Sequence, residues 1–166
     1  MRTTMTVAIA VGLAAFFAAG AARAENLDTP VPEEKLTLNL IQNFLDQAAY
    51  KTEIDSDGDL KVVNDGGMKA FVRADAERKI ITIFAAYPLK ASAPELTKLQ
   101  LVNRLNDRVI VVRFCMPDAT TLWCDYQFSY EGGLTPRYIL HVYRQFIRIV
   151  RIAVAQYDTD DVVGSD

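Results

Sequence analysis

Residues 136–157 contain the pattern that most constrains the fold, a long amphipathic helix. Thr135 and Pro136 stand where a helix N-cap and first-turn proline belong, and helical spacing continues to Tyr157. The apolar face is wider than one sheet usually covers, so part of it is expected to pack on another helix or on a second chain. Its apolar residues are Ile139, Leu140, Val142, Tyr143, Phe146, Ile147, Ile149, Val150 and Ala153.

The residues before this helix predict an α+β domain in the order α-βββ-α-ββ-α. Apolar residues recur at three- and four-residue steps over residues 37–49, which indicates a first helix. Clusters of Asp, Asn and Gly then separate short β-rich runs between residues 50 and 87. This spacing is typical of a meander of three or four antiparallel strands.

A capping box formed by Ser92 and Glu95 predicts a second helix that ends near residues 106–107. Two β-rich runs, 109–116 and 120–130, follow it and predict a hairpin. We therefore expect an antiparallel sheet packed by helices. The predicted core stripe of the second helix is Leu96, Leu99, Val102 and Leu105.

The first 24 residues have the organisation of a secretory signal peptide. Arg2 precedes an uncharged apolar run over residues 7–22, and Ala22 and Ala24 are small residues of the kind that a signal peptidase accepts. We predict cleavage after Ala24 and a periplasmic or secreted protein. The alternative is a retained anchor, for which the run is short because a bilayer core needs roughly 20 residues. No later run has the length and apolarity of a transmembrane segment, so none is expected after cleavage.

Composition and charge divide the rest of the chain. Prolines and acids over residues 25–35 predict an extended leader, the folded domain is expected over residues 36–157, and residues 158–166 are expected to form an acidic flexible tail.

The chain has 18 Lys and Arg against 21 Asp and Glu, and the signal peptide contains Arg2 and Arg23 but no acid. Such an acidic domain argues against nucleic acid as a partner, since domains that bind it usually carry a basic excess.

The two cysteines, Cys115 and Cys124, lie on either side of the predicted hairpin turn. If Ala119 and Thr120 form the centre of the turn, the cysteines are opposite each other at a Cβ separation suited to a bridge. A secreted chain meets an oxidising compartment, so we predict a disulfide between them. The alternative is two free structural thiols, and a redox pair is disfavoured because Cys-x-x-Cys is absent.

Other motifs that carry chemistry are weak or missing. Acids between Asp55 and Asp59 resemble the start of a calcium-binding loop, but Leu60 and Gly66 stand where that loop needs Gly and Glu. His141 is the single histidine, which leaves no second one for a zinc site. The sequence also lacks a nucleophile elbow, a phosphate-binding Gly-rich loop and a Rossmann fingerprint. We therefore expect no metal, no cofactor and no enzymatic activity, unless two of the acids converge in the fold.

A basic stripe, defined by Arg137, His141, Arg144, Arg148 and Arg151, follows steps of four and three residues along the last helix. Residues at this spacing share one face of a helix. The functional interpretation is a surface that binds an acidic peptide, an anionic small ligand or anionic lipid head groups. The alternative is an ordinary solvated face in which some arginines pair with nearby acids.

Residues 36–157 resemble the YbjN-domain family of bacterial proteins, which are labelled sensory transduction regulators. The resemblance lies in the Asp-Gly hairpin before residues 60–62, in LVNRLN at 101–106 and in YEGGLT at 130–135. It implies a fold similar to type III secretion chaperones, which are commonly homodimers that hold an extended segment of a partner, and it brings no catalytic motif.

The pattern and the resemblance together predict a non-enzymatic protein with an unidentified protein partner, in a chaperone-like or regulatory accessory role. A homodimer is a further expectation. The alternative function is binding of an anionic small ligand or a lipid surface through the basic stripe.

Overall fold

The computed structural model describes residues 27–64 and 66–164, so the predicted signal peptide lies outside the described residues. The described chain folds as α-ββββ-α-ββ-α, which confirms the α+β class and gives the first meander four strands. The helices are α1 (Leu38–Gln47), α2 (Glu95–Arg108) and α3 (Pro136–Tyr157). The strands are β1 (Lys51–Ile54), β2 (Leu60–Val63), β3 (Lys69–Asp75), β4 (Ile80–Pro88), β5 (Arg113–Asp118) and β6 (Thr121–Ser129).

The strands form one six-stranded antiparallel sheet in the order β1-β2-β3-β4-β6-β5. Its buried side chains alternate along the strands and join those of α3 in a single core, as expected for a sheet with helices on one face. Both α1 and α2 contact α3, which explains the width of the apolar face of α3. No helix of the described residues has the length and apolarity to cross a bilayer.

The buried face of α2 differs from the prediction. Leu96 and Leu99 are 66% and 43% exposed, whereas the helix buries Lys98, Leu101 and Leu105. The Lys98 ammonium donates a hydrogen bond of 2.7 Å to a backbone carbonyl in the β5–β6 turn, so its aliphatic stem takes a core position. The predicted capping box is also absent, because α2 begins at Glu95 without a side-chain cap.

The predicted disulfide between Cys115 and Cys124 is not formed, and both are free cysteines. The turn is centred as predicted, because Asp118 pairs with Thr121. The register then shifts between Cys115 and Asp118, so that Cys124 lies opposite Phe114 instead of Cys115. A shift of one residue moves a side chain to the other face of a sheet, and the two thiols therefore point in opposite directions.

We expect both thiols to remain free in the folded protein. Burial raises the pKa of each thiol, most strongly that of Cys124, so little reactive thiolate forms while the protein is folded. Iodoacetamide added after unfolding in non-reducing buffer should modify both cysteines, as counted by mass spectrometry. An unfolded chain that takes up no label without a reductant would contradict the register.

Residues 158–164, predicted as part of a flexible tail, are packed against the domain. Val162 is fully buried, and Val163 forms an isolated bridge with Leu89. The Asp158 carboxylate accepts hydrogen bonds of 2.8 Å from the backbone N–H groups of Val162 and Val163. These hydrogen bonds and the contacts of Val162 and Val163 hold the segment against the domain despite its acidic composition.

Candidate functional site

Helices α1 and α3 border a groove with a volume of about 410 Å³, here called the basic groove. Small-molecule sites commonly have volumes of roughly 300 to 1,000 Å³, so the groove has the size of a ligand site. Its apolar lining residues, here called the apolar wall, are Leu27, Phe44, Ala48 and Leu140. Its polar lining residues, here called the rim, are Gln47, Arg137, His141 and Arg144.

The segment that precedes α1 contributes Leu27 to the basic groove and is bound to the domain. Val31 exchanges backbone hydrogen bonds of 2.8 and 3.1 Å with Leu134. Asp28 accepts hydrogen bonds from the guanidinium of Arg137, one of them 2.9 Å long, and this pairing lowers the pKa of the Asp28 carboxyl. Gly133 permits the close approach, because a Cβ there would lie 2.3 Å from the carbonyl oxygen of Val31. The predicted leader is therefore bound along the domain over residues 27–35.

Two polar side chains of the rim, Arg144 and His141, are available to a ligand. The Arg144 Nε donates a 3.2 Å hydrogen bond to the Tyr50 hydroxyl, and Arg144 has no ion pair with any residue that the structure describes. His141 lies one turn before it, and its imidazole is exposed. Arg137 differs from both, because Asp28 already occupies its guanidinium.

The structure divides the predicted basic stripe. All five residues are exposed, but only Arg137, His141 and Arg144 border the basic groove. Arg148 borders an apolar patch, and Arg151 borders a separate depression. Pairing with an acid, the alternative interpretation, holds for Arg137 alone within residues 27–64 and 66–164.

The sequence did not reveal an exposed apolar surface between the end of α2 and the second half of α3. Ile110 is 99% exposed in the loop before β5, and Ile152 of α3 is 50% exposed. We call this surface the loop patch, and it consists of Ile110, Val111, Ile149 and Ile152 with Arg108 and Arg148 at its border. The predicted β-rich run over residues 109–116 included this loop, whereas β5 begins only at Arg113.

Two buried carboxylates lie on the sheet, and an arginine binds each of them. Asp59 accepts a 2.7 Å hydrogen bond from Nε of Arg73, and Asp125 accepts a 2.6 Å bond from Arg113. Asp125 also accepts a 2.8 Å bond from the indole N–H of Trp123. These carboxylates are thus held as structural anions. In the described part of the chain, no three His, Cys, Asp or Glu side chains are placed to hold a metal ion.

The protein is a small α+β domain with one antiparallel sheet. Its helices border two candidate binding surfaces, the basic groove and the loop patch. Residues 37–159 match the model of the YbjN family, described as "Putative bacterial sensory transduction regulator", and the chain belongs to this family. No curated protein sequence matches it.

Several solved structures are similar to this chain at low sequence identity, and the first two that follow share its fold. YbjN from E. coli, described as "a putative transcription regulator", is 15% identical with a TM-score of 0.66 over 79% of this chain and 97% of its own. An uncharacterized protein from Methanothermobacter thermautotrophicus is 12% identical with a TM-score of 0.55 over 74% and 97%. The Yersinia pestis type III secretion chaperone SycH, solved with a fragment of YscM2, is 16% identical with a TM-score of 0.46 over 71% and 97%.

Proposed function

We propose that the chain is a non-enzymatic periplasmic or secreted accessory protein that binds a protein partner in a chaperone-like or regulatory role. The loop patch is the observation that carries this proposal. Membership of a family of sensory transduction regulators supports the regulatory role, and the signal-peptide pattern supports the location. The arginine partners of Asp59 and Asp125 support the absence of catalysis, because neither carboxylate is left to act as an acid or a base.

The composition of the loop patch fits a protein interface. Interface cores are depleted of most charged residues but enriched in Arg, and large exposed apolar patches on soluble proteins mark binding sites. Burying a side chain such as Ile110 contributes about 1.5–3 kcal/mol, which is available to a partner because the chain leaves this side chain in water. Arg108 and Arg148 favour a partner with acidic residues around its apolar contact.

A photo-crosslinking amino acid tests the patch in the secreted full chain. Placed at Ile110, it should yield a discrete adduct with another protein, and Arg148→Glu should weaken that adduct. The matched control is the same amino acid at Ile54, an exposed isoleucine of β1 at the opposite edge of the sheet.

The mass of the adduct decides between partners. An adduct that contains only a second copy of the chain would show that the loop patch is the interface of the expected homodimer and does not bind a different protein. Equal adducts from positions 110 and 54, or none from position 110, would overturn the proposal.

The basic stripe supports a second candidate function, binding of an anionic small ligand or a lipid surface. Arg144, Arg148 and Arg151 are exposed and form no ion pair with any described residue, and Arg144 donates a hydrogen bond to the hydroxyl of Tyr50. These unpaired cations give an acidic chain one surface that attracts anions.

A further inference from the structure

We propose that the basic groove binds a single medium-chain fatty carboxylate, with its acyl chain on the apolar wall and its head group at Arg144. This inference deepens the second candidate function and is independent of the loop patch. It rests on the size of the groove, on its apolar wall and on an Arg144 guanidinium that is paired with no acid among the described residues.

The apolar wall selects the body of the ligand. The wall is built from three parts of the chain. Leu27 precedes α1, Phe44 lies in the last turn of α1 and Ala48 directly after it, and Leu140 belongs to α3. None of these side chains offers a hydrogen bond, so a sugar or a nucleotide would lose its hydration there without compensation. An acyl chain gains about 0.8 kcal/mol for each methylene that it buries.

The rim selects the head group. None of the described residues that line the groove is acidic, although the chain as a whole carries a net charge of −3. The bond to Tyr50 uses Nε of Arg144 and leaves both terminal nitrogens of its guanidinium for a ligand. A guanidinium binds a carboxylate through paired hydrogen bonds, which are stronger than bonds between neutral groups. Gln47, on the α1 side, adds an amide donor.

The existing ion pair of Arg137 sets the direction of the ligand. Because Asp28 accepts hydrogen bonds from Arg137, the Arg137 end of the groove is already neutralised. The carboxylate is therefore expected at Arg144 and His141, and the acyl chain is expected to run towards Leu27.

Isothermal titration calorimetry on the purified secreted protein tests the inference with dodecanoate as the probe. We expect one dodecanoate per chain, and Arg144→Gln should weaken binding about tenfold or more through loss of a charge-assisted pair. The matched control is Arg78→Gln, the same change at an exposed arginine in the β3–β4 turn outside the basic stripe and the groove, which should leave the affinity unchanged. Circular dichroism spectra of both variants establish that they are folded.

Any of the following results overturns the assignment of the basic groove to a fatty carboxylate. Absence of dodecanoate binding, or equal affinity for dodecanol, shows that the groove does not recognise a fatty carboxylate. Binding only to phosphatidylglycerol vesicles, weakened equally by Arg144→Gln and Arg151→Gln, assigns the whole basic stripe to a lipid surface. Binding of a Glu-rich peptide in an Arg144-dependent manner, without dodecanoate binding, assigns the groove to a peptide. None of these results changes what the crosslinker at position 110 reports about a protein partner.

Discussion

Replacing Leu105 with alanine is expected to lower the free energy of unfolding by about 2–5 kcal/mol. Leu105 is fully buried on α2, and this helix contacts both β5 and α3. The substitution removes apolar burial and leaves a cavity that the surrounding helices and sheet fill only in part. Urea denaturation measures the change, as a lower midpoint at an unchanged slope.

Leu96→Ala is the matched control, since it makes the same change in the same helix. Leu96 is 66% exposed, so its replacement should change stability by less than about 0.5 kcal/mol. The sequence pattern assigned both leucines to the core, and the pair of variants therefore separates the two possible buried faces of α2. Losses of similar size would contradict the position of α2 in the structure.

Gly133→Ala is expected to detach the segment of residues 27–35 from the domain. Gly133 has a φ of +93°, and a Cβ at this position would lie 2.3 Å from the carbonyl oxygen of Val31. The left-handed conformation and this overlap together should reduce the local stability of the segment by about 2 kcal/mol or more. Glutamyl endopeptidase should then cleave after Glu33 or Glu34 roughly thirtyfold faster, because cleavage follows the population of the open form.

Gly132→Ala provides the control for backbone strain. Gly132 also has a positive φ, +78°, but a Cβ there would meet nothing within 4 Å. This variant incurs only the left-handed penalty, so its cleavage should be much slower than that of Gly133→Ala. If both variants are cleaved at the same rate, the close approach of Gly133 to Val31 is not what holds residues 27–35 on the domain.

Local patterns predicted the elements well where the signal lay within a few residues. The Thr135 side chain accepts the predicted cap hydrogen bond from the backbone of Tyr138, and α3 runs from Pro136 to Tyr157 as expected. Thr37 caps α1 in the same way. Caps and periodic apolar faces act over one or two turns, so that a single sequence is enough to read them.

Features that depend on distant contacts were not predicted. The core position of Lys98 requires a carbonyl acceptor in the β5–β6 turn, and the exposure of Leu96 and Leu99 follows from it. The bulge in β5 moved Cys115 away from Cys124, although the centre of the turn was correct. Nothing in the local sequence marks the core position of Lys98, whereas Pro117 is a local sign of the irregularity in β5 that the prediction of the register did not use.

The sequence predicted only the part of the candidate site that lies on one helix. Helical spacing brought Arg137, His141 and Arg144 onto one face, and the structure places all three at the basic groove. Its apolar wall was missed because Leu27 and Phe44 come from segments far from α3 in sequence. Only the fold brings them together.

The bulge in β5 also determines how the sheet meets other chains. β5 is an edge strand whose pairing with β6 is interrupted between Cys115 and Asp118, and Pro117 in that interval has no N–H to donate. The opposite edge, β1, is only 4 residues long and carries the charged residues Lys51 and Glu53. Short, charged or bulged edges oppose growth of a sheet by edge-to-edge addition. Both edges of the described sheet are therefore poor templates for the addition of a further strand.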